Sequence, residues 1–144
     1  MKAEPERNYK VTIGTDSLQL ATGYADFVTA IVVHRVGSGG RYFYRRFDEG
    51  KFHTLRDRII KEVLVSLEVG QVMLLELKNA VSGDAFLQAG APLQWDFQIH
   101  IDVGERGPTK QMIQEVVGMV RAYNFEAITK PGSYAASSVA DRHV

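Results

Sequence analysis

The sequence predicts a single α/β domain in which helices flank a mixed β-sheet. Apolar and polar residues alternate over residues 9–16 and 93–103, the period of two that a strand with one buried face requires. A β-rich hairpin pattern covers residues 27–47, and a strand, helix and strand follow one another over residues 93–129. The hairpin predicts antiparallel strands, whereas the strand-helix-strand unit predicts parallel ones.

Composition narrows the classes of function. The 144 residues carry 17 basic and 17 acidic side chains and no cysteine, which excludes disulfides, thiolate metal sites and a cysteine nucleophile. No uncharged apolar run is long enough to span a bilayer, and the charged N-terminus does not resemble a signal peptide, so we expect a cytoplasmic protein without a membrane partner. We expect one domain over residues 1–144, with residues 1–8 as a flexible arm. Residues 35–62 are locally basic, which suits either a phosphate backbone or a solvated surface.

Two of the predicted strands carry an aspartate near their carboxyl ends. The strand over residues 9–16 ends at Asp16, and Asp102 is the last polar residue of the strand over residues 93–103. If these strands are neighbours, both aspartates lie on the same side of the sheet, at the rim where open α/β sheets bind ligands. For either aspartate alone, capping a turn or binding backbone amides is the better explanation.

A helix is predicted from residue 55, with Thr54 as its N-cap. Glu62 falls at the border of its apolar stripe, whereas Glu68 falls on the solvent side. A carboxylate at such a border requires a partner, either Arg58 one turn earlier or a metal ion. Gly70 is expected to kink or end this helix, although helix-forming residues continue beyond it.

Turn and cap residues divide the remaining chain. The glycines of residues 37–40 predict a hairpin loop in preference to a phosphate-binding loop, because no helix or lysine follows them. Thr109 is expected to cap a second helix that stops at Asn124, and Ser133 to cap a last helix that contains Asp141.

Five segments together carry a family resemblance: IGTDS (13–17), HRVGSGGRYFY (34–44), LRDRIIKE (55–62), HIDVGERGPT (100–109) and KPGSYAASSVADRHV (130–144). They resemble the YkuK family of predicted ribonuclease-H-like proteins over nearly the whole chain. In the family pattern glutamine directly follows GTDS, whereas here Leu18 stands between Ser17 and Gln19 and leaves the aspartate in place. Three antiparallel strands followed by parallel βαβ additions match the ribonuclease-H-like topology, a mixed five-stranded sheet.

The resemblance implies a metal-dependent nuclease or phosphodiesterase that acts on RNA, DNA or a hybrid. Enzymes of this fold gather carboxylates around two Mg²⁺ or Mn²⁺ ions, roughly 3.5–4 Å apart, that activate water and stabilise the leaving oxygen. Carried over position by position, the metal ligands and catalytic carboxylates are Asp16, Glu62, Asp102 and Asp141. A non-catalytic nucleic-acid-binding or assembly module that keeps the fold is the alternative.

Three further residues are weaker candidates for the same site. His100 shares the polar face with Asp102 and could assist proton transfer or contact metal, but a hydrogen-bonded sheet histidine is an equal alternative. Lys130 and Ser133 lie at a predicted helix N-terminus, where they could contact a substrate phosphate. For Ser133, helix capping is the simpler interpretation.

Overall fold

The computed structural model describes residues 8–35, 40–82, 94–130 and 132–133. In chain order its elements are β1 (Asn8–Gln19), β2 (Tyr24–Arg35), β3 (Gly40–Lys51), α1 (Leu55–Ser82), β4 (Gln94–His100), α2 (Ile113–Ala122) and β5 (Glu126–Ile128). The five strands form one sheet in the order β3-β2-β1-β4-β5. Strands β1 to β3 pair antiparallel, whereas β4 pairs parallel with both β1 and β5. Within the described residues, the predicted mixed sheet of five strands is therefore confirmed.

Both helices pack on one face of this sheet, called here the helix face. The apolar core lies between them and the central strands, with strand residues Val11, Ile13 and Ile99, α1 residues Ile59, Val63 and Leu67, and α2 residues Val116 and Val120. The odd-numbered residues of β1 face the helices, as the sequence alternation predicts. Burying each such side chain contributes roughly 1.5–3 kcal/mol.

The opposite face, called here the polar face, differs from expectation. The alternation predicts that its polar side chains are exposed, yet Thr12, Gln98 and His100 are all buried. They belong to β1 and β4, which are inner strands of the sheet and carry its parallel pairing. Parallel strands are usually covered on both faces, so alternation here reports polarity and not exposure.

The ends of β1 and β4 also differ from the sequence prediction. Strand β1 continues past Asp16 to Gln19, because its pairing with β2 continues to the Gln19 and Ala25 pair. Strand β4 ends at His100, two residues before Asp102. Asp16 therefore lies inside a strand, and Asp102 lies in the segment that follows one.

Helix α1 begins where predicted and passes through Gly70 without ending. The Asp57 backbone N–H donates to Thr54 Oγ1 at 3.0 Å, which confirms Thr54 as the N-cap. A Cβ atom on Gly70 would lie 3.2 Å from Phe125 Cζ and 3.4 Å from Ile13 Cδ1. The missing side chain of Gly70 thus allows α1 to lie close to the sheet. Close packing, and not helix breaking, explains a glycine at this position.

Helix α2 begins differently from the prediction and ends as predicted. A 3₁₀ turn, Lys110–Met112, precedes it, and Thr109 makes no side-chain cap hydrogen bond there. The Thr109 hydroxyl instead accepts a hydrogen bond from the Gly104 N–H at 3.3 Å. This bond lies within the loop that follows β4. Asn124 adopts a positive φ of 66°, the left-handed conformation that ends many helices.

Two other expectations lie partly or wholly outside the described residues. The hairpin loop is described only at its last glycine, although β2 and β3 pair as far as His34 and Gly40. The last helix, with Asp141, is not among the described residues. Within the described ranges, no helix is both long and apolar enough to cross a membrane.

Candidate functional site

The candidate site lies where β4 separates from β1. The two strands pair as far as Gly14 and His100, whereas β1 remains paired with β2 for five residues more, to Gln19. The paired register ends two residues before Asp16 and two residues before Asp102, which brings both aspartates to the same end of the sheet. We call the space bordered by Asp16, Ser17 and Asp102 the notch.

The main chain of β1 holds the Asp16 carboxylate at the notch. The Ser17 backbone N–H donates to Asp16 Oδ1 at 2.9 Å. The Asp16 side chain is half-buried, and its charge acts on Glu62 of α1.

Helix α1 brings Glu62 to the same place. Glu62 is only 7% exposed, and its Oε2 accepts a hydrogen bond from Ser17 Oγ at 2.5 Å. One turn further along, a hydrogen bond of 2.7 Å between Ser66 Oγ and Thr15 Oγ1 fixes the helix against β1. Glu68 is exposed, so the helical geometry separates the two glutamates as the sequence predicts.

The surroundings of Glu62 favour its protonated form. Burial raises the pKa of this carboxyl from 4.5 to about 8, and the negative charges of Asp16 and Asp102 add to the rise. The Ser17 hydrogen bond and the Arg58 charge act in the opposite direction and lower the pKa. Three carboxyl groups from β1, α1 and the segment after β4 thus interact electrostatically at the notch.

Arg58 supports the notch through Ser17. Its NH1 group donates to the Ser17 carbonyl oxygen and to Ser17 Oγ, each at 3.4 Å. Its Nε atom is buried and has no hydrogen-bond partner in the part of the chain that the structure describes. The sequence suggests either Arg58 or a metal ion as the partner of Glu62. In the structure Arg58 acts as a nearby charge, and the hydrogen bond to Glu62 comes from Ser17.

Asp102 has a cationic neighbour in Lys130. The Lys130 Nζ lies 3.0 Å from Asp102 Oδ1, and the Lys130 backbone N–H donates to the Val103 carbonyl at 2.9 Å. A Cβ atom on Gly104 would lie only 3.0 Å from Lys130 Cβ, so the side chain passes close over this glycine. Lys130 thus neutralises one of the three carboxylates, and its predicted contact with a phosphate stays a prediction.

His100 lies beside the site as a neutral, buried side chain. Burial lowers the pKa of its imidazole to about 4, and the positive charge of Lys10 lowers it further. Its Nε2 donates to Gln98 Oε1 at 3.3 Å. This environment favours the hydrogen-bonded sheet histidine over the proton-transfer role.

Comparison with known proteins identifies the family. A ribonuclease H-like family model matches residues 1–144. The uncharacterized protein YkuK of Bacillus subtilis (strain 168) is 33% identical over 147 residues, which cover 99% of this chain and 83% of that protein. The chain belongs to the ribonuclease H-like family. The resemblance seen in the sequence is therefore confirmed, and membership indicates a function related to nucleic acid.

A solved structure is also similar to this ribonuclease H-like chain. The crystal structure of prototype foamy virus protease-reverse transcriptase matches it with a TM-score of 0.41 and 10% sequence identity. The match covers 96% of this chain, which spans about one fifth (20%) of the viral chain.

The donor chemistry of this ribonuclease H-like site suits a hard cation. Asp16, Glu62, Asp102 and the Ser17 hydroxyl offer oxygen donors, which Mg²⁺ and Mn²⁺ prefer. Across the described ranges, no three His, Asp or Glu side chains already stand in a metal-binding arrangement. The residues fit a divalent cation in chemistry, and a cation that used Asp102 would replace Lys130 at its carboxylate.

Sequence reasoning missed Ser17 and the pairing of Lys130 with Asp102. Ser17 directly follows Asp16, and strand alternation predicts that its side chain faces α1, which was the signal for a contact with Glu62. Ser133 is buried, and its predicted role at a phosphate is untested. Asp141, the fourth predicted ligand, lies outside the described residues.

Proposed function

We propose that this chain is a metal-dependent nuclease or phosphodiesterase that acts on nucleic acid. The observation that carries the proposal is the buried Glu62, whose pKa is raised to about 8 beside Asp16 and Asp102. Ionising an acid that is buried next to two further carboxylates is unfavourable unless a cation offsets the repulsion. Strongly perturbed carboxyl groups of this kind cluster at functional sites.

In this proposal Asp16, Glu62 and Asp102 hold Mg²⁺ or Mn²⁺. The bound cation would supply charge that activates water and stabilises the negative charge developing on the phosphate. Ser17 orients the Glu62 carboxylate through its hydroxyl, while Arg58 holds Ser17 in place. Lys130, once replaced at Asp102, remains close enough to the site to pair with a phosphate oxygen.

Metal binding is tested by thermal unfolding with and without Mn²⁺. At a hundred times its Kd, a ligand stabilises the native state by about 2.7 kcal/mol, so the wild-type melting temperature should rise. The double variant Asp16→Asn/Asp102→Asn should lose this rise. Asp96→Asn, an exposed substitution on β4, is the matched control and should keep it. An equal rise in the wild type and the double variant would place any metal elsewhere.

Cleavage is tested separately on labelled oligonucleotides. Single-stranded, duplex, hybrid and junction substrates are incubated with the protein and with Mg²⁺, Mn²⁺ or EDTA. We expect cleavage of at least one substrate, and only when a divalent metal is present. The double variant should not cleave any of them. Metal binding without cleavage of any substrate would contradict the enzyme and support the non-catalytic module, which the pairing of Asp102 with Lys130 also favours.

A further inference from the structure

An apolar groove runs along the helix face between α1 and the outer strand β3. Its volume is about 520 Å³, and most of the side chains that line it are apolar, among them Ile31, Phe43, Phe47, Val65, Val69 and Met73. Phe43 is 57% exposed, and Val72, which also lines the groove, is 52% exposed. Exposed apolar side chains gathered in one groove indicate a docking surface. We call its two sides the α1 wall and the β3 wall.

The register of the sheet decides which β3 side chains belong to the groove. Phe43 lies opposite Ile31, which in turn lies opposite Ile13 on the helix face. Residues directly opposite one another on paired strands share a face. Segment 41–47 therefore presents alternate residues to the helix face, and all of them are basic or aromatic: Arg41, Phe43, Arg45 and Phe47.

The two walls carry opposite charges. On the β3 wall Arg41 and Arg45 are exposed, and segment 41–47 contains no acidic residue. On the α1 wall Glu68 lines the groove, and the exposed Glu76 lies one turn beyond Val72. Residues 63–76 of α1 contain these two glutamates and no basic residue. The groove thus lies between an acidic helix and a basic strand.

Glu68 and Arg45 stand at nearly the same level along the groove. The hydrogen bond between Ser66 and Thr15 fixes α1 against the row of the sheet that also contains Arg45. Glu68 follows Ser66 by two residues, which is about 3 Å along a helix. The two side chains therefore face each other across the groove.

Glu76 and Arg41 stand at a second matching level. From Ser66 to Gly70, α1 passes from the row of Thr15 to the row of Ile13, so it runs toward the Arg41 end of β3. Glu76 lies eight residues beyond Glu68, about 12 Å along the helix, and Arg41 lies four residues from Arg45, about 14 Å along the strand. Charge and position therefore alternate in the same way on both walls.

We propose that the groove is the interface of a homodimer in which α1 of each copy lies over β3 of the other. Glu68 contacts the partner's Arg45, and Val72 packs on the partner's Phe43. The twofold axis runs parallel to the groove, so each contact occurs twice. The inference goes beyond the proposed function and does not depend on it.

The opposite charges of the walls select this arrangement. Rotation about an axis along the groove places the α1 wall against the partner's β3 wall, so that glutamates meet arginines. Rotation about an axis across the groove would instead pair each wall with its own copy and bring like charges together, which is unfavourable. A polyanion or an acidic peptide would be attracted by one wall and repelled by the other. The surface is therefore complementary in charge to a second copy of itself.

Shape supports the same occupant. Helix α1 stands above the sheet as a ridge, while the helix-face side chains of β3 beside it are exposed. The twofold rotation places the ridge of each copy over the uncovered strand of the other. Each sheet then gains a helix over its outer strands, which is the usual way in which an α/β sheet buries an apolar face.

The first test measures the dimer by sedimentation equilibrium in EDTA, so that bound metal has no part in the result. Glu68→Arg and Arg45→Glu each place like charges at both symmetric contacts and should raise the Kd of the wild-type dimer at least tenfold. Both positions are exposed, so the variants should fold. Glu105→Arg makes the same change of charge in the exposed loop after β4 and should leave the dimer unchanged.

Mixing the two variants gives the decisive result. In a heterodimer of Glu68→Arg with Arg45→Glu, the introduced arginine faces the introduced glutamate, and the native Arg45 faces the native Glu68. An equimolar mixture should therefore dimerise at a total concentration at which each variant alone is a monomer. An ion pair within one copy predicts no such recovery, and neither does a dimer that pairs each wall with itself.

The apolar part of the groove is tested by Phe43→Ala, which should also raise the Kd at least tenfold. Tyr123→Ala removes a ring that is 49% exposed at the end of α2 and should have no effect. A wild type that sediments as a monomer at every concentration overturns the inference and leaves the groove to another occupant. A dimer that is indifferent to the three groove variants, or a mixture that fails to associate, also overturns it.

Discussion

Glu62 and His100 are buried side chains whose pKa values move in opposite directions. Burial raises the pKa of Glu62 to about 8 and lowers that of His100 to about 4. At neutral pH both side chains are therefore uncharged in the folded, metal-free protein. In the unfolded chain Glu62 loses its proton near pH 4.5, and His100 gains one below about pH 6.5.

These shifts have opposite consequences for stability. The folded state holds the Glu62 proton more tightly than the unfolded state, so stability falls as pH rises from 4.5 to about 8. The folded state resists protonation of His100, so stability also falls as pH drops from 6.5 to about 4. The metal-free protein should therefore be most stable at mildly acidic pH. It loses stability at higher pH through Glu62 and at lower pH through His100.

Glu62→Gln should remove the alkaline loss of stability. In EDTA, urea unfolding of the variant and the wild type should agree near pH 5, where Glu62 is still largely protonated when folded. At pH 9 the variant should be more stable, by on the order of 4 kcal/mol, because no charge is buried beside Asp16. The variant should also bind Mn²⁺ more weakly.

Glu68→Gln is the matched control, one glutamate further along the same helix and exposed. It should change stability by no more than about 0.5 kcal/mol at either pH. If Glu62→Gln instead destabilises the metal-free protein at every pH and leaves Mn²⁺ affinity intact, then Glu62 is a structural partner of Ser17 and Arg58 and no metal ligand.

At the scale of elements, α1 is positioned by the absence of a side chain at Gly70. The helix contacts β1 at two kinds of site, the polar pairs at Ser17 and Thr15 and the close approach at Gly70. Because Glu62 lies two turns before Gly70 on the same helix, the close approach helps to set how deeply Glu62 enters the notch.

Substitution at Gly70 should therefore contrast with substitution at Gly118. Both glycines lie inside helices, but a Cβ on Gly118 would meet nothing within 4 Å. Gly118→Ala should stabilise by about 0.5–1 kcal/mol through helix propensity. Gly70→Leu should destabilise by roughly 1–3 kcal/mol, because the side chain overpacks against Phe125 and Ile13. Chemical unfolding of both variants measures the contrast, and a Gly70→Leu protein as stable as the wild type would contradict it.

Local sequence patterns predicted which strands and helices form more accurately than they predicted where these elements end. Alternation and helical periodicity report which side of a segment is apolar, so the five strands and the helix with Glu62 on its border were predictable. The end of β1 depends on its pairing with β2, and Gly70 depends on contacts with β1 and Phe125. Such tertiary contacts leave no periodic signal in the segment that they shape.

At the scale of the whole molecule, the site joins parts of the chain that are distant in sequence. Asp16 and Asp102 were predictable as candidates because each stands near the end of an alternating segment. The parallel pairing of β1 and β4 brings them to the same end of the sheet. The hydrogen bond from Ser17 to Glu62 and the ion pair of Lys130 with Asp102 required the folded structure.

The charge balance of the assembled site makes Lys130 a competitor of the metal. In the metal-free protein its ammonium group pairs with Asp102, a carboxylate that the cation also requires. Lys130→Met keeps a side chain of similar length over Gly104 but removes the charge. Because exposed ion pairs contribute about 0.2–1 kcal/mol, Mn²⁺ affinity measured by calorimetry should rise up to roughly fivefold.

Lys110→Met, on the 3₁₀ turn, is the matched control for the loss of one positive charge and should leave Mn²⁺ affinity nearly unchanged. If Lys130 also pairs with the substrate phosphate, Lys130→Met should bind metal more tightly yet cleave more slowly, which separates the two roles in one variant. A Lys130→Met protein that binds Mn²⁺ more weakly than the wild type would show that the lysine supports the site and that Asp102 is not the carboxylate shared with the cation.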